Sequence, residues 1–297
     1  MDAFKAKLVI LTLKLLACLS LKNAQRFGAF VGRILWWGDS RSTHVTIENI
    51  QLCYPNLSHE EQQALIKKSL METGKLFSEF GIVWEWPTEK TLGLIKSVEG
   101  KEHLDAIFEK GKGAIVLAPH HGNWEVVGLY LSTLRPMAAL YKPPKIKALE
   151  DYMSSVRGRH GSELVPTNKR GVIRLFSILS KQGMVGILPD QVPGGTGGMF
   201  APFMGVEANT VKLVSRLIDR TECEVVSLCA LRRPNGEGFD LVFKPADPDI
   251  YSKDLATSIA ALNRSVEAAI ESHPEQYQWG YRRFKGAEHN GKKVYKS

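Results

Sequence analysis

The chain predicts an α/β fold: a central mixed sheet flanked by helices, with an N-terminal membrane-associated helix added in front. Three observations carry this expectation. Short apolar runs alternate with helical patterns of roughly 10 to 15 residues, the rhythm of strands joined by crossover helices. A chain of 297 residues that is 44% hydrophobic can fill a sizeable core. The first forty residues are set apart by two apolar stretches punctuated almost entirely by basic residues.

In order, the first run is LVILTLKLLACLSL at 8–21 and the second FGAFVGRILWW at 27–37. The first is shorter than the ~20 residues a spanning helix needs. Lys5, Lys7, Lys14, Lys22, Arg26 and Arg33 punctuate the two runs, and Asp2 is the only acid before Asp39. That is the pattern of a helix lying in an anionic membrane surface, with Trp36 and Trp37 at headgroup level. Lys5, Lys7 and the Leu-Leu-Ala-Cys at 15–18 imitate a lipoprotein signal, but Lys14 interrupts its apolar core. Residues 1–40 are therefore read as an anchor and 41–297 as the catalytic body.

From Thr43 to about Phe80 the apolar spacing is helical, and Ser58-His-Glu-Glu61 offers a capping box. Strands follow at AIVLA (114–118), MAALY (137–141), MVGIL (184–188), EVVSLCAL and FDLVF, with helices near 122–134, 148–157, 171–181 and 210–220 between them. The last helix, about 253–271, carries Leu255, Ile259, Leu262, Val266 and Ile270 on one stripe and stops before Pro274. No repeat or low-complexity linker interrupts the body.

The 39 Lys+Arg against 31 Asp+Glu leave +8, which favours an anionic partner: nucleic acid, an acidic membrane surface, or an acidic protein or substrate. Cys18, Cys53, Cys223 and Cys229 have neither disulfide-framework nor zinc-site spacing, so they read as reduced thiols in a cytosol-facing protein.

The chemistry concentrates in APHHGNWE, residues 118–125. The histidines follow a strand and precede a helix, at the edge of an α/β sheet where ligands bind. Helix-start amides disfavour a protonated imidazole, so a neutral histidine there suits a general base. His121 and Glu125 have the spacing of one helical face, while His120 reaches Glu125 only from the loop. The residues by themselves leave both pairings open. An HxxxE pattern with no third ligand is a weak metal signal. Arg157, Arg159, Arg282, Arg283 and Lys285 are candidate phosphate ligands, guanidinium being suited to forked contacts. Asp190 follows MVGIL at a carboxyl end where an adjacent strand could bring it toward His120. PGGTGG at 193–198 lacks the Lys-Ser/Thr of a nucleotide loop and reads as a mobile loop near the substrate. Trp279 reads as structural.

These residues resemble the bacterial lipid A late acyltransferases of the glycerolipid acyltransferase superfamily, whose usual motif is close to HFGNWE. The resemblance covers almost the whole chain: the N-terminal anchor, Asn49-x2-Leu52-x2-Pro55, Tyr141-Lys-Pro143, Arg157 and Arg159, ILPDQ at 187–191, PFMG at 202–205, and HPEQYQWGYRRFK at 273–285. It aligns the family's base with His120 and its carboxylate with Glu125, leaving His121 in a variable position. It implies substrate-binding roles for Asn123, Lys142, Arg157, Arg159, Asp190, Gln191, Arg282 and Arg283. Lys142 stands where many members have Arg, which puts a forked contact there in doubt. The resemblance further implies an acyl thioester donor on acyl-carrier protein or CoA, a membrane glycolipid acceptor such as a lipid A precursor, and no cofactor, metal or nucleic acid. It implies the bacterial inner membrane, with the active site facing the cytoplasm. HHxxxE also resembles the HHxxxD motif of condensation-type acyltransferases, but those chains are longer and lack this ending. A membrane-surface protein that only binds anionic lipid is the non-enzymatic alternative.

Overall fold

The structure, a computed structural model, describes residues 2–141, 143–158 and 161–295. Four helices come first: α1 (Asp2–Ala17), α2 (Leu21–Trp37), α3 (Arg41–Cys53) and α4 (His59–Glu85). Serines at 20, 40 and 58 cap α2, α3 and α4 by accepting a backbone N–H three residues on. At α4 the expected capping box is complete: Glu61 accepts the Ser58 N–H at 2.8 Å, and Ser58 Oγ accepts the Glu61 N–H at 3.2 Å. Helices α1 and α2 lie along α4, so the N-terminal segment is built onto the body. At the α2–α4 crossing the backbones touch. A Cβ on Gly28 would stand 2.3 Å from the Gly74 carbonyl oxygen, and one on Gly74 would stand 2.0 Å from that of Gly28. Among the described residues no helix is long and apolar enough to cross a membrane.

The body continues through α5 (Thr88–Leu92), β1 (Ile95–Glu99), α6 (Glu102–Glu109), β2 (Ala114–Leu117), α7 (Trp124–Leu134), β3 (Met137–Tyr141), α8 (Lys147–Gly158), β4 (Glu163–Pro166), α9 (Lys169–Leu179) and β5 (Met184–Ile187). A hairpin of β6 (Gly198–Phe203) and β7 (Val206–Val211) follows, then α10 (Leu213–Thr221), β8 (Glu224–Arg232), β9 (Phe239–Pro245) and α11 (Leu255–Ile270). Seven strands form the sheet in the order β1-β9-β8-β2-β5-β3-β4. It is mixed because β8 and β9 pair antiparallel while the other neighbours run parallel.

Strand β2 is central and every one of its residues is buried. Ala114 and Val116 enter the cluster of α4, α6 and α7, whereas Ile115 and Leu117 enter the cluster of α9, α10 and α11 on the opposite face. Burial on both faces explains why AIVL reads as a continuous apolar run without alternation. The three central expected strands were visible for this reason. By contrast, IKSVE of β1 and ELVP of β4 lie at the sheet edges, where their mixed polarity leaves no continuous apolar run. The hairpin β6–β7 was also unexpected; the glycine-rich loop at 193–198 runs into its first strand.

Candidate active site

The pairing of β2 with β5 sets Leu117 opposite Ile187. Three residues beyond each of these stand His120 and Asp190, so two chain segments far apart in sequence meet at one carboxyl edge. Asp190 Oδ1 lies 2.8 Å from His120 Nδ1, and Asp190 Oδ2 accepts the His120 backbone N–H at 2.9 Å. An ionised carboxylate only accepts, so Nδ1 carries the proton and Nε2 presents a lone pair. The Gln191 amide stands 3.1 Å from that Nε2, and the Trp124 ring packs edge-on with its centroid 4.7 Å from the imidazole. Burial raises the Asp190 pKa, but the facing His120, bonded through ring and backbone, and then Arg283 outweigh it and hold the carboxyl below its ordinary value.

Glu125 is placed differently from the expected His120–Glu125 contact. Its carboxylate meets the Arg157 fork from α8: Nε donates to Oε2 at 3.1 Å, and Nη2 bonds Oε1. Helix α7 begins only at Trp124, so the helical spacing of His121 and Glu125 never applies. Glu125 projects from the first turn toward α8, and the carboxylate on the His120 ring is that of Asp190. Burial raises the Glu125 pKa, but Arg157 by charge and hydrogen bond, with help from Trp84, brings it below the ordinary range.

His121 is fully buried, and neither ring nitrogen has a hydrogen-bond partner among the described residues. Burial first, then the charges of His273 and Arg232, lower its pKa to about 3. Its ring faces inward toward Tyr277 while His120 faces the site.

Two expected substrate ligands prove to be interior. Asn123 is completely buried; its Oδ1 caps α7 by accepting the Val126 N–H at 3.3 Å, and its Nδ2 donates to Glu79 at 2.9 Å. Arg283 is buried with its guanidinium turned inward, donating to Asn209 O at 2.8 Å, Thr210 Oγ1 at 2.6 Å and Asn263 Oδ1 at 3.0 Å. Each lacks free donors facing solvent, so neither is positioned to take a substrate phosphate. Arg282 is half-buried over the Tyr295 ring. Lys142 and Arg159 lie outside the described residues. Among the described residues no three His, Cys, Asp or Glu side chains converge as metal ligands would, and all four cysteines are free thiols.

The sequence reading missed how the C-terminal segment underpins the turn that carries His120 and His121. His121 and Tyr277 form a β-bridge, Gly122 N–H donates to Gln276 O at 3.1 Å, and Gln278 N–H donates to His120 O at 3.0 Å. Asn49, part of the Asn-x2-Leu-x2-Pro stretch, clamps that segment: its Nδ2 donates to Trp279 O at 2.7 Å and Tyr281 O at 2.8 Å. The Tyr281 hydroxyl in turn accepts the Val192 N–H at 3.0 Å, just beyond Gln191. These are backbone and scaffold bonds between segments distant in sequence, for which one chain offers no periodic signal.

A family model described as bacterial lipid A biosynthesis acyltransferase matches residues 2–286. The chain is 29% identical over 250 residues to the lipid A biosynthesis palmitoleoyltransferase of Escherichia coli K12, covering 82% of this chain and 79% of that one. It is 26% identical to the lipid A biosynthesis lauroyltransferase of the same organism, covering 88% and 84% respectively. With the E. coli K12 lipid A biosynthesis myristoyltransferase the identity is 24%, over 86% of this chain and 77% of the relative.

Proposed function

The chain belongs to the bacterial lipid A biosynthesis acyltransferase family, and from that premise we propose that it moves a fatty acyl group from an acyl thioester on acyl-carrier protein to a hydroxyl of a lipid A precursor. That it is an enzyme follows from the family itself. The observation that carries the mechanistic reading is the pair of hydrogen bonds from His120, through its ring and its backbone N–H, to Asp190, which leaves Nε2 as an oriented base at the sheet edge.

In the proposed reaction the acceptor hydroxyl takes the place of the Gln191 amide at Nε2. His120 removes its proton as the oxygen attacks the thioester carbonyl carbon. The new C–O bond forms, the C–S bond breaks, and the imidazolium returns the proton to the departing sulfur, giving a free thiol and an ester. Asp190 fixes the tautomer and steadies the imidazolium. Glu125 works through Arg157: its grip on Nε and Nη2 holds the guanidinium so that Nη1 remains for a substrate oxygen, either the developing oxyanion or an acceptor phosphate.

The site is assigned to the cytoplasmic face of the bacterial inner membrane, with α1 and α2 lying in the surface and not crossing it. Exposed apolar side chains along both helices support this, and the +8 charge suits both anionic lipid and an acidic carrier. Mass spectrometry of membrane lipids from cells with and without the gene tests the reading. The expected result is one acyl chain missing from lipid A on deletion, restored by the wild-type gene and not by His120→Ala. An unchanged lipid A profile would overturn it.

A further inference from the structure

Behind the catalytic turn lies a buried ion pair that the acyl-transfer mechanism does not use. Glu79 of α4 is completely buried, and Arg232 at the end of β8 nearly so. Arg232 Nε stands 2.8 Å from Glu79 Oε1 and 2.9 Å from Oε2. Burial works against the Arg232 charge, yet Glu79, and then Glu72, keep the guanidinium above its ordinary pKa. Glu79 Oε1 also accepts from Gln25 Nε2 at 2.7 Å, and Oε2 from Asn123 Nδ2 at 2.9 Å.

Two of the bonds reach the residues that immediately follow the histidines. Arg232 Nη2 donates to the Gly122 carbonyl at 3.1 Å, while Glu79 holds the Asn123 amide. Gly122 needs such a partner. It has φ +61°, and a Cβ there would stand 2.1 Å from Ala230 O, so its backbone is pressed directly onto β8 with no side chain to fix it. Asn123 has no alternative orientation either, because its Oδ1 is committed to the Val126 N–H and its Nδ2 then requires an acceptor. Stability alone is a poor reason for this pair, since buried ion pairs are often replaceable by apolar residues without loss.

We infer that Glu79 and Arg232 are positioning residues that hold Gly122 and Asn123 and thereby fix where the His120 imidazole stands; this rests on the acyl-transfer reading above. Arg232→Lys is the decisive variant. It keeps a charge opposite Glu79 but cannot fork to Gly122 as well. Gln25→Met is the comparator, since Gln25 touches Glu79 but not the turn.

The expected result is a kcat loss of about 100-fold in Arg232→Lys with the donor KM changed less than about threefold, because misplacement of the base costs turnover and not binding. Gln25→Met, even with an equal fall in Tm, is expected to keep kcat within about threefold. The NMR signal of the His120 Nδ1–H bonded to Asp190 is expected to weaken in Arg232→Lys only. A folded Arg232→Lys protein with full kcat would overturn the inference, as would equal kcat losses in the two variants. If Arg232→Lys does not fold, Glu79→Gln takes its place under the same criteria. If the wild-type protein transfers no acyl group, the acyl-transfer reading fails, and the His120 signal alone decides: unchanged in Arg232→Lys, it overturns the positioning role.

Discussion

Asp190 holds His120 at two points, with Oδ1 2.8 Å from the ring Nδ1 and Oδ2 accepting the backbone N–H at 2.9 Å. One carboxylate therefore sets both the loop position and the ring tautomer. Because the depressed Asp190 pKa reflects these bonds, their contribution to stability is present above the ordinary carboxylate value and is lost as pH falls through the folded value.

Asp190→Asn is the sharpest test of this arrangement. An asparagine amide group facing Nδ1 is a donor, so the ring proton moves to Nε2 and the base is lost. Turnover is expected to fall by up to about 10⁴-fold in a protein that still folds, as tautomer reversal does in serine proteases. Steady-state kinetics beside near-ultraviolet circular dichroism checks both halves of the statement.

Glu125→Gln separates the two carboxylates. If Glu125 acts through Arg157, as proposed, the variant weakens the fork without altering the His120 tautomer. We expect a loss of about 10-fold to 100-fold in kcat/KM, the scale of one charge-assisted hydrogen bond of about 1.5–3 kcal/mol. A loss as deep as that of Asp190→Asn would return the orienting role to Glu125.

His121 should make the fold acid-sensitive. Its folded pKa of about 3 lies below the unfolded value near 6.5, so the unfolded chain binds a proton that the folded chain refuses. Its contribution is intact above about pH 6.5 and falls by up to about 1.4 kcal/mol per pH unit on the way down to about pH 3. His121→Phe removes that slope and two unbonded buried nitrogens, so the variant should gain at least about 2 kcal/mol over wild type at pH 5. Urea unfolding at pH 7.5 and pH 5 measures the difference, and equal pH slopes for the two proteins would contradict it.

The same residue shows how far the sequence could be read. The resembled motif HFGNWE has a phenylalanine where this chain has His121, and the structure closes that position against solvent beside the Tyr277 ring, a setting that suits an aromatic side chain. The strand-turn-helix context of APHHGNWE was legible because β2 is a pure apolar run and a helical pattern follows the histidines. Asp190 could be placed at a carboxyl end, but its partnership with His120 depends on the β2–β5 register, which no local pattern encodes. Asn123 and Arg283 looked like ligands because polar and charged residues in a motif invite that reading. Their burial is decided by α4, β7 and α11, all distant in sequence. Glu79 sits within a helical apolar pattern that gives no hint of an arginine waiting on β8.

The exposed faces of α1 and α2 make the membrane reading measurable. Phe4, Leu8, Leu11 and Leu15 on α1, and Phe27, Phe30, Ile34 and Trp37 on α2, are all exposed, with Trp37 at 72%. Among the described side chains of α1 only Ala6 and Leu13 are buried apolar residues, so most of the helix surface faces away from α4. Lys5, Lys7, Lys14, Lys22, Arg26 and Arg33 are exposed on the same two helices. Lipid would cover the apolar rows while anionic headgroups met the basic residues. A Leu or Phe side chain carried fully into an apolar phase contributes about 1.5–3 kcal/mol, and a partial transfer about half of that. Leu8→Asp with Phe30→Asp should therefore weaken binding to vesicles containing anionic lipid by about 10-fold to 100-fold, leaving transfer to a detergent-dispersed acceptor intact. Raising the salt concentration should weaken the wild-type protein only in part, because screening acts on the basic residues and not on the apolar rows. Sedimentation with vesicles reads both effects, and undiminished binding by the double variant would show that these faces do not contact lipid.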